Sequence, residues 1–137
     1  MRKQSLLLIE ILIVIFLIGI TGTVIGIKTK TAVEKYNFQT NANLIMDKIE
    51  HLKKMSQAKQ EDMTLFVMQK KNNLTLKLFS EDFILLEKKK LKNCFLDFNG
   101  QNVFSTNFLF ASTGVTIPKG KIIIYDKKNR FKEFFLQ

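Results

Sequence analysis

The chain is 137 residues long, 46% hydrophobic, 25% charged and formally +10, which suits one modest folded domain rather than two. A single cysteine, Cys94, and a single histidine, His51, exclude an intramolecular disulfide framework and a Cys/His metal set. No nucleophile–base pair, metal-ligand spacing or phosphate loop is legible, so the chain reads as a non-enzyme that needs no cofactor.

Met1 to Ser5 is short, basic and polar, and an apolar run follows it at once. From Leu6 to Ile27 the only ionisable residue is Glu10, and a helix of that length spans about 30 Å of hydrocarbon. Arg2 and Lys3 before the run predict a cytoplasmic N-terminus and a translocated C-terminal part. The apolar run is too long for a signal-peptide core and flows into a further helical pattern, so cleavage after it is not expected.

Beyond Ile27 the pattern becomes periodic. Phe38, Ala42, Ile45, Ile49 and Leu52 recur every three or four residues, which predicts one stripe of an amphipathic helix. No proline interrupts residues 6–60, so the two helical segments can be one rod about 80 Å long. Gly19, Gly22 and Gly26 are its weak points, although membrane helices use glycine for close approach. His51 sits among lysines without a catalytic partner and reads as a surface or interface residue.

From Met63 the period drops to two, with Leu65 and Val67, then Leu74, Leu76 and Leu78, alternating with other residues about an Asn72-Asn73 turn. Further strands are predicted at Phe83 to Glu87, Leu91 to Phe98, Val103 to Phe110, Lys121 to Tyr125 and Phe131 to Leu136. Asn99-Gly100, Thr113-Gly114, Pro118 to Gly120 and Lys127 to Asn129 punctuate them. Cys94, inside an apolar stretch, reads as a buried thiol. The expected fold is α+β, a long N-terminal helix whose stripe covers one face of a C-terminal antiparallel sheet, with segments 1–5, 6–27, 28–60 and 61–137.

Glu10 demands an explanation, because a carboxylate in hydrocarbon costs several kcal/mol unless neutralised or paired. One reading places it near the cytoplasmic headgroups. The other follows from its surroundings: Ser5 followed by LLLIEILIVIFLIGI resembles the class III signal of type IV prepilins and type II secretion pseudopilins. The resemblance implies processing by a prepilin peptidase between Ser5 and Leu6, N-methylation of Leu6, and an assembly role for Glu10 at the fifth mature position. Gly19 falls on the family's recurring mid-helix glycine. Ser5, Leu6 and Leu7 replace the family's usual glycine, phenylalanine and threonine, and the later helix proline is missing.

The C-terminal stretch is similar to that of H-type minor pseudopilins, with Phe108, Phe110, Gly114, Gly120, Ile122 and Ile124 in matching places. No aspartate cluster suggests the calcium loop of a major pseudopilin, and no paired cysteines close a pilin loop. The resemblance thus implies a minor subunit of a type II secretion or type IV pilus-like filament. Its partners would be other pilin or pseudopilin subunits, the prepilin peptidase and an inner-membrane assembly platform.

Two alternatives remain open. Setting Arg2, Lys3 and Glu10 aside leaves 20 basic against 11 acidic residues in 28–137. Lys88, Lys89 and Lys90, with Lys127, Lys128 and Arg130, could present phosphates with a basic surface, as in a DNA-binding minor pilin of an uptake pilus. Lysines spread over several loops would instead merely solvate the domain. The other alternative is a plain single-pass envelope protein.

Overall fold

The computed structural model describes the backbone of residues 2–137 and the side chains of residues 8–23 and 25–137. The chain divides into two compact units, Met1–Asn37 and Phe38–Gln137.

The first unit consists of the leading part of helix α1 (Arg2–Lys59). The hydroxyls of Thr21 and Thr23 donate back to the carbonyls of Leu17 (3.0 Å) and Ile20 (2.8 Å), and those of Thr29 and Thr31 to Ile25 and Ile27. Each of these threonine hydroxyls is thereby satisfied within its own helix and needs no partner from outside it.

The second unit opens with the remainder of α1. Phe38, Ala42, Ile45, Ile49 and Leu52, the expected stripe, are all buried. The stripe runs one turn further than its apolar residues, because Ser56 is fully buried with Oγ 2.9 Å from the Lys53 carbonyl and 3.3 Å from that of Ala111. Gln60 ends the helix in the left-handed region at φ 56°, and the Glu61 amide donates back to the Ser56 carbonyl.

Nine strands follow: β1 (Met63–Lys70), β2 (Asn73–Phe79), β3 (Leu85–Lys92), β4 (Phe95–Phe98), β5 (Gln101–Asn102), β6 (Ser105–Phe110), β7 (Thr116–Ile117), β8 (Gly120–Tyr125) and β9 (Phe131–Leu136). All pairings are antiparallel, and the fold is α+β. The strands build two sheets rather than the single one expected, ordered β3-β2-β1-β6-β7 and β5-β4-β8-β9.

Local backbone explains the division. Phe83 (φ 58°) and Asn93 (φ 52°) cannot continue a ladder, so the expected strands Phe83 to Glu87 and Leu91 to Phe98 are recut. The first residues of each are lost or reassigned, and β3 instead carries the lysine run through to Lys92. After the break β4 pairs with β8, while β6 returns to β1. The inward positions of both sheets and the helix stripe share one core, in which the fully buried Phe108 meets the half-buried Phe98 edge-on at 5.4 Å.

Candidate functional site

The leading part of α1 is where the chain's chemistry is least explained by its own packing. Every described side chain between positions 8 and 27 is exposed. Leu8, Ile15, Phe16 and Ile27 each leave about two thirds of their surface open, at 67, 65, 66 and 69%. A continuous apolar surface of this extent is not stable against water and marks a membrane or protein contact. This helix is the one, among the described residues, long and apolar enough to cross a membrane.

Glu10 is exposed within that surface. Successive helical residues turn by about 100°, so Glu10 and Gly19 stand on opposite sides of α1. A Cβ added at Gly19, Gly22 or Gly26 would meet nothing within 4 Å, so nothing in the chain itself requires glycine there. The side chains of Ser5 and Leu6, the expected processing pair, lie outside the described residues.

The basic candidates are not brought together. Lys88, Lys89 and Lys90 belong to β3, an edge strand, not to a loop as expected. Alternation then parts them. Lys88 and Lys90 sit opposite Lys77 and Thr75 on the outward side, whereas Lys89 sits opposite the buried Leu76 on the side of the helix. Its neighbour there, Glu87, forms an ion pair with Lys48 of α1.

Lys127, Lys128 and Arg130 belong to the β8–β9 turn of the other sheet. Arg130 is committed to the buried Asp126, donating from Nε at 2.8 Å and Nη2 at 2.5 Å, and it also lies over the Phe38 ring. The Lys128 amide donates to the same carboxylate. This cluster holds a turn, so Arg130 is no free cation for a phosphate.

His51 is exposed on α1. Cys94 is fully buried, and burial, with the Asp126 charge adding to it, pushes its thiol up to about 12. Among the described residues no group of histidine, cysteine or carboxylate side chains could hold a metal ion.

Sequence reasoning missed an open groove of about 670 Å³ at the end of the two sheets. Phe95 and Tyr125 stack across β4 and β8 at 5.4 Å, and Phe104 is 79% exposed at the groove. Their supporting polar chain is ordered. The Leu96 amide donates to Gln69 Oε1, Gln69 Nε2 donates to Asn102 Oδ1, and Asn102 Nδ2 donates to the Tyr125 hydroxyl, at 2.8, 3.1 and 3.2 Å. Phe104 falls inside an expected strand, and only its departure from the ladder exposes the ring. Comparison of the chain with family models, with curated proteins and with solved structures returns no match.

Proposed function

We propose that the chain is a minor pilin-like or pseudopilin-like subunit, anchored by α1 in the cytoplasmic membrane with its N-terminus inside, processed between Ser5 and Leu6, and drawn into a helical filament with its fellow subunits. One observation carries the reading: an uncovered apolar helix face, behind a short basic leader, is interrupted by a lone carboxylate at Glu10. A plain anchor has no need of that carboxylate.

Cleavage would free the amine of Leu6. In a bundle of such helices that cation meets the Glu10 carboxylate of a neighbour, and the two charges offset each other's desolvation. The self-satisfied threonine hydroxyls and open glycines leave the remaining contacts to close packing. No catalytic step is assigned.

The test is co-expression with a prepilin peptidase, followed by N-terminal sequencing and intact mass. A mature chain beginning at Leu6 with a methylated amine is expected. A chain still beginning at Met1, or cut after Ile27, overturns the assignment.

A further inference from the structure

The strand register gathers lysines that are far apart in the chain. On the five-stranded sheet Leu65, Val67, Leu74, Leu76 and Phe108 face the core, so the alternate positions face outward. Lys70, Lys77, Lys88, Lys90 and Lys92 all fall on the outward set. Lys77 stands opposite Lys88, and Asn73 bridges the register between Lys70 and Lys92. Among the described residues of these strands no carboxylate shares that side, because Glu87 is turned inward to Lys48.

Along β3 the lysines recur at every second residue, roughly 7 Å apart, close to the repeat of phosphates on an extended strand. The row runs to the aromatic groove. Lys92 ends β3, and the next amide, that of Asn93, donates to the Asn72 carbonyl of the β1–β2 turn at 2.8 Å. Lys70 and Lys71 of that turn line the groove itself, beside Phe95, Tyr125 and Phe104. The Gln69 amide holds the Phe104 carbonyl at 2.8 Å, so this exposed ring sits next to the lysine pair.

We infer that this face is a binding site for single-stranded nucleic acid, with the outward lysines tracking the phosphates and the groove aromatics stacking unpaired bases. Cationic track and aromatic platform together are the two components that such binding requires. A duplex keeps its bases stacked inside and would use only the lysines. An anionic bilayer would find acidic Glu81 and Asp82 beside the exposed Phe83 at the far end of the same sheet, where apolar insertion would otherwise begin. The inference goes beyond the filament reading and does not depend on it.

The experiment uses the full chain in zwitterionic nanodiscs and follows the anisotropy of a labelled oligothymidylate over a salt series. Oligothymidylate is expected to bind more tightly than a duplex of equal charge. Phe104→Ala should weaken it roughly tenfold with the salt slope unchanged. The double substitution Lys90→Gln with Lys92→Gln should lower the slope by about 0.7 per lysine removed, while Lys89→Gln leaves both affinity and slope unaltered. Equal affinity for the duplex with no effect of Phe104→Ala would reduce the face to a general polycation and overturn the proposal. So would the absence of oligothymidylate binding at low salt, equal losses from Lys89→Gln and Lys90→Gln, or tighter association with phosphatidylglycerol vesicles than with the oligonucleotide.

Discussion

Arg130 closes the β8–β9 turn by gripping the buried carboxylate of Asp126 four residues before it, with two guanidinium contacts at 2.8 and 2.5 Å. Burial pushes the Asp126 carboxyl up. The Arg130 side chain and the Arg130 and Lys128 amides outweigh it and hold the group below the ordinary aspartate value. A depressed carboxylate stabilises the fold fully above its unfolded pKa, and the contribution disappears as pH falls through the folded one. Unfolding followed by circular dichroism in detergent should therefore show wild type losing stability below about pH 4. Asp126→Asn should be less stable at neutral pH by about 1.5 to 3 kcal/mol, with a flatter acid limb.

Cys94 provides a probe of the same region. Its thiol, pushed up to about 12 and fully buried, should resist maleimide at neutral pH in the folded protein and react completely in denaturant. Labelling of the folded chain at the rate of a free thiol would mean that this core opens.

Phe108 is fully buried and packs edge-on against Phe98, whereas Phe131 on the outermost strand is 66% exposed. Phe108→Ala should cost about 3 to 5 kcal/mol through lost burial and a cavity. Phe131→Ala should stay within about 0.5 kcal/mol. Denaturant midpoints of the two variants decide the point.

Gly114 turns the β6–β7 connection at φ 86°, and a Cβ there would come within 2.2 Å of the Gln57 amide nitrogen. Gln57 is flexible at that end and can move aside, but the positive φ cannot be relieved. Gly114→Ala should destabilise by about 1 to 2 kcal/mol. Adding Gln57→Ala should restore only a small part of it in a thermal melt.

Glu10→Gln should leave insertion and folding intact yet impair assembly. In the isolated subunit an exposed carboxylate at this depth can stay near the headgroups, so its loss costs little. In the filament proposed above, the amine that cleavage would free on a neighbouring Leu6 would lose its counter-charge, typically about 3 to 5 kcal/mol per contact. Crosslinking of the variant to its fellow subunits in membranes, at equal expression, should fall well below that of the parent. Equal crosslinking would make Glu10 an interfacial residue without an assembly role.

The helix and its two characters are legible from residue order alone, because each depends on local periodicity. An apolar run with a single ionisable residue seeks a nonaqueous surface, and a three-and-four spacing from Phe38 to Leu52 buries one stripe. Alternation likewise marks β1 and β2 and the inward set of each. What alternation cannot supply is which strand lies beside which. Whether β6 returns to β1 or continues beside β5 is decided by pairings across tens of residues, and by positive-φ breaks at Phe83 and Asn93 that no glycine announces. The same long-range register sets Lys70, Lys77 and Lys92 beside Lys88 and Lys90, and opens the groove at Phe104. The count of lysines belongs to the sequence; their placement on one sheet face is a property of cross-strand geometry, which only the folded chain possesses.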